Sequence, residues 1–330
     1  MSAPVLPPFS WLAVKQFLHG FFPGPPTFVE KDYPSLDGKV VIVTGGSAGA
    51  GYETAKSLAG ATNAKVYIFA RNEEKTLNAI KRLELEVAKE YNKPKVDVHF
   101  IKIDLGDLTT IRPAAEKFLS LEQRLDIVIH NAGIKPDEYA TTKQGYEIQL
   151  GTNAIGPHLL QKYLDPLLIK TSQAAKPLET RVVWVGSTAH WRAPLGGVHW
   201  ADPNLKDSVA DLRYAQSKAI NVIQAIGWHK YHPDAKNVLS LSVCPGYLST
   251  DIQGADGTWK KTLSNWILYP SRNGAFTELF AALSPGLGKE NQGGHIISFG
   301  HVAPIREDVK DDLNVDKTWN YLEEQVKSYI

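Results

Sequence analysis

Tyr214 and Lys218 stand four residues apart at the start of a helical pattern, which puts both side chains on one helix face. A free tyrosine ionises near pH ~10. A neighbouring ammonium favours the phenolate and lowers that value, so Tyr214 is a candidate acid/base near neutral pH. An exposed Tyr–Lys pair on an ordinary helix would look the same. Ser187, 27 residues earlier at the end of an apparent strand, could hold a substrate oxygen. Asn153 lies in a helix expected to pass beneath the same sheet edge.

A second stretch points to phosphate. Val40 to Val43 are four β-branched residues in a row, the pattern of a strand buried on both faces. Thr44-Gly-Gly-Ser-Ala-Gly-Ala-Gly51 follows at once, and Tyr52 to Leu58 reads as a helix. Such a turn lets backbone approach a pyrophosphate, while the helix N-terminus offers free N–H groups. The spacing is Gly45-x3-Gly49-x-Gly51, not the common G-x-G-x-x-G fingerprint. An NAD site usually carries a carboxylate about 20 residues past its glycines. Here Ala70 and Arg71 stand in that place. A guanidinium suits a 2′-phosphate, so NADP(H) is favoured over NAD(H). A solvated arginine at a strand end is the plain alternative. Asp104 is placed to accept from an adenine amino group, or else to start a helix.

These residues need a scaffold. From Lys39 the chain alternates strands (65–70, 96–103, 125–130, 181–185, 238–243, 295–299) with helices (73–90, 109–121, around 142–170, 212–231, 273–283). This predicts an α/β, doubly wound, Rossmann-type sheet, mostly parallel and seven-stranded, with helices on both faces. Ligands then sit beyond the strands' carboxyl ends, where the glycines, Arg71, Asp104, Asn131, Ser187 and Pro245-Gly246 all fall. No linker divides the chain. The expected organisation is a lead-in over 1–36 and one domain over 37–330, with a substrate lid around 251–272.

Taken together, the order of Thr44-Gly-x3-Gly-x-Gly51, Asn131-Ala-Gly133, Asn153, Ser187, Tyr214-x3-Lys218 and Pro245-Gly-x3-Thr250 resembles the short-chain dehydrogenase/reductases over about residues 37–300. Within them it is most similar to the retinol-dehydrogenase-like and fungal oxidoreductase branch, through Arg181 to His190, Asn221 and Gly24-Pro-Pro-Thr-Phe28. The resemblance implies catalytic roles. Tyr214 exchanges a proton with the carbonyl or alcohol oxygen, Lys218 binds the nicotinamide ribose and tunes Tyr214, and Ser187 orients the substrate. Asn153 orders a helix and a proton-relaying water. It also implies that Gly45, Ser47, Ala48, Gly49 and Ala50 line the pyrophosphate turn. Arg71, Asp104, Leu105, Asn131 and Gly133 would serve the adenosine side, and Pro245, Gly246, Leu248 and Thr250 the nicotinamide end. Many members assemble through the helices after the fourth and fifth strands; monomers also occur in this branch. Three departures stand out: Ala50 for a larger apolar residue, Gly186 for a serine, and Gln149-Leu-Gly-Thr before Asn153.

Composition sets limits. The 330 residues are 43% hydrophobic and 22% charged, with a net charge of +1, so no global field argues for nucleic acid. One cysteine, Cys244, excludes an internal disulfide and, with no Asn-x-Ser/Thr sequon, favours a cytoplasmic setting. Residues 9–22 hold Trp11, Val14, Leu18 and Phe21 at helical spacing. They are too short to span a bilayer; they either touch an intracellular membrane surface or pack on the domain. His190 and His199 flank an insertion beside Ser187; structural or solvated side chains are the default, though they could touch substrate, and no metal is proposed. Trp191, Trp200, Trp259, Trp266 and Tyr269 fall in segments that should flank the pocket; they either line it for a lipophilic or aromatic carbonyl compound or serve as core and lid packing. A fungal natural product, a retinoid-like aldehyde or a steroid-like ketone would suit, reduced with NADPH. The alternative is a non-catalytic NADP(H)-binding scaffold or sensor.

Overall fold

Alternation of buried strand residues organises the molecule. In β1 (Val40–Thr44) every residue is buried: Val40 and Ile42 point into one helical layer, Val41 and Val43 into the other. A strand covered on both faces must be apolar throughout, which explains the β-branched run. The computed structural model describes residues 3–248 and 268–330. The strands β2 (Lys65–Ala70), β3 (Val98–Lys102), β4 (Ile127–His130), β5 (Thr180–Val185), β6 (Val238–Val243), β7 (His295–Ile297) and β8 (His301–Ala303) complete one eight-stranded sheet. Its order is β3-β2-β1-β4-β5-β6-β7-β8. All neighbours are parallel except β7 and β8. Seven strands were expected; the eighth is a short hairpin return beyond the 295–299 run, of which only His295–Ile297 forms strand.

The helices are α1 (Trp11–Phe21), α2 (Gly49–Ala61), α3 (Glu73–Glu90), α4 (Ile111–Leu121), a short α5 (Ile148–Leu150), α6 (Gly156–Ala174), α7 (Ala210–Tyr231), α8 (Ser271–Leu283), α9 (Glu307–Lys310) and α10 (Asp312–Val326). One core layer holds Phe118, Leu164, Trp184 and Trp228; the other holds Leu58, Leu83, Leu239 and Leu279. The chain runs outward from β1 to β3 and returns at β4. This reversal opens a crevice at the carboxyl ends of β1 and β4, where doubly wound folds take ligands.

Two additions lay outside the sequence reading. After β8, Arg306 is buried, and its guanidinium donates to the carbonyls of His190, Trp191, Ala193 and Pro194 at 2.7–3.1 Å. It thereby ties the C-terminal segment to the loop after β5. Beyond it, α10 packs on α7, with Trp319 over Gly227, where a Cβ would sit 2.5 Å from the indole.

The lead-in lies against the domain through half of the apolar stripe expected of it: Val14 and Phe21 are half-buried, and Phe21 packs on Tyr247. Trp11 is 72% exposed and Leu18 is 51% exposed, whereas Gln16 and Gly20 are buried. Ser10 caps α1 by accepting from Ala13 N. Among the described residues, no helix is long and apolar enough to cross a membrane. The lid expected at 251–272 falls largely outside the described residues, as do Trp259, Trp266 and Thr250.

Candidate active site

The glycine turn is built by what surrounds it. Gly45 (φ 70°) and Gly49 (φ 59°) adopt left-handed backbone that favours glycine. A Cβ on Gly45 would lie 2.9 Å from Ala132 Cα, and one on Gly51 2.2 Å from Asn131 Nδ2. The turn thus needs both the backbone angle and the missing side chain. Thr44 locks it to the segment after β4: its hydroxyl accepts from Ala132 N at 2.9 Å, and its carbonyl accepts from Asn131 Nδ2 at 2.8 Å. Ala48, the residue before α2, gives that helix no side-chain cap. The first amides of α2 are left for an anion. The cradle therefore fits a pyrophosphate.

Ala50 does not loosen the packing behind it. It is buried, and a Cβ on Gly274 would lie 3.1 Å from its own Cβ, so α2 and α8 meet at two small residues. Gly186, where a serine was expected, is also closely set. A Cβ there would reach Val222 Cγ2 and Val243 O at 3.4 Å.

One cavity of about 1070 Å³ runs across the strand ends. It is at the upper end of small-molecule sites (about 300–1,000 Å³), which suits a dinucleotide with a second molecule. Gly45, Ser47, Ala48, Gly49, Ala50, Arg71, Asp104, Leu105, Asn131, Gly133, Ser187, Tyr214, Lys218, Pro245, Gly246 and Leu248 all line it. Among the residues expected at the cofactor, only Thr250 lies outside the described ones. Asp104 is not a helix cap: Asp107 caps the 3-10 turn Leu108–Thr110 that leads into α4, accepting from Thr109 N at 3.1 Å. Asp104 Oδ1 accepts from Gly106 N at 2.9 Å. Lys75, one turn into α3, lines the cavity beside Arg71. It is the third residue of α3, and a lysine on a helix surface gives no signal of its own.

At the other end, α7 and the end of β5 bring the candidate catalytic groups together. Lys218 is buried, and its Nζ donates to Val185 O at 2.6 Å and Asn221 Oδ1 at 3.3 Å. Burial pulls its ammonium down to about 8. A Cβ on Gly133 would lie 3.3 Å from that Nζ, so the third residue of Asn131-Ala-Gly133 keeps room for the lysine. Lys218 Nζ sits 5.7 Å from the centre of the Tyr214 ring. Burial pushes the Tyr214 phenol well above its ordinary value. The Cys244 side chain adds to the rise, and a hydrogen bond with Ser187 opposes it. The lowering expected from Lys218 is thus not what this arrangement shows. The ammonium is turned to Val185 O and Asn221, and desolvation dominates the phenol.

Asn153 does not line the cavity; it stands behind it. Its Oδ1 accepts from Ile134 N at 2.8 Å, and its Nδ2 donates to Ile134 O at 3.0 Å and Ser217 Oγ at 3.1 Å. It lies in a π-turn, Gly151–Ile155, that separates α5 from α6. Such turns disturb the i→i−4 ladder and often sit at functional sites. Two α7 side chains use the carbonyls here: Asn221 Nδ2 donates to Asn153 O at 2.7 Å, and Gln224 Nε2 to Ala154 O at 3.0 Å. Asn153 is therefore linked to Lys218 through Asn221.

Ser187 has extended backbone, and its hydroxyl accepts from Ala189 N at 3.1 Å. Of the two readings open for His190 and His199, structural residue or substrate contact, the structure supports the first. His190 is fully buried behind the loop; its Nδ1 meets Ser187 O at 2.7 Å, and burial lowers its pKa to about 4. Neither His190 nor His199 lines the cavity. Of the aromatics, Trp191 lines it, but Trp200 packs on Tyr321 and Tyr269 on Phe299. Tyr247, Lys135 and Arg192 line it without having been singled out. Lys135 pairs with Asp211 at 2.7 Å and lies 5.7 Å from the Tyr214 ring centre.

Comparison with known proteins agrees with this geometry. Residues 39–196 match the family model described as short chain dehydrogenase. A short-chain dehydrogenase/reductase of Phomopsis amygdali is 37% identical over 325 residues, covering 94% of this chain and 96% of its own. A solved structure from Mycobacterium paratuberculosis, of a protein described as uncharacterised, is 25% identical. It covers 91% of this chain and 97% of its own at a TM-score of 0.68. A short chain dehydrogenase from Burkholderia cenocepacia, solved in complex with NADP, is 22% identical, covers 80% and 97%, and has a TM-score of 0.59. A glycine cradle facing a tyrosine–lysine pair across one cavity, in a chain this closely related, places the protein in the short-chain dehydrogenase/reductase family.

Proposed function

We propose that the protein is an NADP(H)-dependent oxidoreductase that interconverts a carbonyl and an alcohol on a lipophilic or aromatic molecule, working in the reductive direction. The observation that carries this is the placement of Ser187, Tyr214 and Lys218 on the same cavity as the glycine cradle. A pure nucleotide binder needs none of that second cluster.

NADPH, when bound, supplies the hydride. The chain's residues do the rest. Ser187 and Tyr214 hydroxyls hold the substrate oxygen, and Tyr214 gives it a proton as charge develops there. A phenol pushed up by burial keeps its proton until an acceptor arrives, which suits an acid in the reductive direction. Lys218 places a positive charge near the resulting phenolate. The line from Lys218 through Asn221 to Asn153 holds the ammonium in place and leads from α7 to the π-turn ahead of α6. The solved relative that carries NADP supports the choice of cofactor, as do Arg71 and Lys75 at the open end of the cavity and the lack of a carboxylate at position 70 or 71. Trp191 and Tyr247 give the substrate end an apolar lining.

Initial rates of NADPH and NADH oxidation with a panel of aliphatic, aromatic and polycyclic carbonyl compounds test this reading. Faster turnover of apolar members with NADPH supports it. No turnover of any member, with NADPH still bound, favours the scaffold alternative.

A further inference from the structure

The groups that would bind the dinucleotide come from the carboxyl edge of the sheet. One wall of the cavity does not. Ala13, Val14 and Phe17 of α1 line it, although α1 precedes β1 and lies outside the residues matched by the family model.

The seat of α1 is specific. Gln16 is 4% exposed and reaches two partners: its Nε2 donates to Pro304 O at 2.7 Å, and its Oε1 accepts from Trp191 Nε1 at 2.9 Å. Trp191 is itself a wall of the cavity. Gly20 faces Tyr247, where a Cβ would lie 2.5 Å from the ring. Phe17 and Phe21 hold the same ring, with centroids at 5.7 and 4.6 Å. The Tyr269 hydroxyl donates to Phe21 O at 3.0 Å, and His19 Nε2 meets Ser298 O. Buried polar groups carry a large desolvation cost unless they find partners. A buried glutamine with both ends paired therefore fixes the helix in one place, which loose apolar packing would not do.

We infer that α1 is the specificity wall of the substrate site. Val14 and Phe17 contact the part of an elongated or multi-ring apolar substrate that lies away from the reacting carbonyl. Gln16 is a positioning residue that sets the wall's place through Trp191. A short aldehyde reaches Tyr214 without touching α1; a long one does not. The inference takes the reaction at Tyr214 from the proposed function but the site of α1 from the contacts above.

The test uses the full chain and three variants: Val14→Trp, which fills the wall, Phe17→Ala, which opens it, and Gln16→Leu, which releases it. NADPH-dependent reduction of butanal and dodecanal is compared. Val14→Trp and Gln16→Leu should raise the KM for dodecanal about tenfold, the scale of a lost apolar contact. Phe17→Ala should change dodecanal KM and leave butanal kinetics near the parent's. NADPH affinity should stay constant throughout. Equal losses for both aldehydes, or no loss for either, would overturn the inference. Calorimetric titration of dodecanol into the NADPH-loaded chain gives a readout without turnover. Binding weakened by Val14→Trp upholds the wall even if the parent reduces no carbonyl, in which case the oxidoreductase reading alone fails. Equal binding in parent and variant, or none in the parent, overturns the wall.

Discussion

Glu278 offers a quantitative test of how α8 supports the phosphate-binding end. It is fully buried, its Oε2 accepts from Thr54 Oγ1 at 2.7 Å, and its Oε1 has no hydrogen-bond partner among the described residues. Thr54 belongs to α2, so this contact joins the two helices behind the glycine turn. Burial is the main cause that pushes the carboxyl up to about 7 from the ordinary 4.5; the Thr54 bond and the charge of Lys218 oppose it. The folded chain therefore keeps a proton between these values that the unfolded chain gives up. Stability from this group is fully present below the unfolded value and is lost as pH rises through the folded one. At about 1.4 kcal/mol per pH unit, the gap corresponds to roughly 3 kcal/mol. Glu278→Gln keeps an acceptor for Thr54 and cannot ionise. Urea unfolding followed by tryptophan fluorescence should show parent and variant nearly equal at about pH 5, and the variant more stable by roughly 2–3 kcal/mol at about pH 8. A stability difference that does not change between these pH values would show that Glu278 does not hold a proton that the unfolded chain releases.

Two further substitutions probe the cofactor end. Arg71→Ala should weaken NADPH binding about 10–100-fold, the range for one hydrogen bond to a charged group, and leave NADH binding little changed. Equal effects on both cofactors would remove Arg71 from 2′-phosphate recognition. Gly51→Ala would set a Cβ 2.2 Å from Asn131 Nδ2 and 2.9 Å from Gly45 O. It should destabilise the chain by about 1–3 kcal/mol and weaken NADPH binding, read by thermal unfolding and fluorescence titration.

Much of the fold was legible because its signals are local. Four β-branched residues announce β1, and glycine spacing announces the turn, since each property resides in the residues themselves. The bounds of β2, α3 and β6 follow the sequence reading to the residue. What failed depended on partners distant in sequence. The outward face of α1 could not be read from its own pattern, because Gln16 and Gly20 are buried by Trp191, Pro304 and Tyr247. His190 looked like a substrate contact from its place beside Ser187. Its Nδ1 instead turns back to the Ser187 carbonyl, and its ring packs on His295. Trp200 went to Tyr321 because α10, which brings that ring, carried no motif. Tyr214 and Lys218 were legible as a pair, but the opposing pulls of burial on them were not: desolvation is a property of the packed interior.

In the proposed reaction Tyr214 is the proton donor in a chain that also binds NADP(H). Tyr214→Phe keeps the ring and removes the hydroxyl. The decisive measurement is single-turnover reduction of a carbonyl compound that the parent reduces, with NADPH binding measured on the same sample. The rate should fall about 10²–10⁴-fold with NADPH affinity within a factor of about two. Turnover retained at the parent's rate would contradict it.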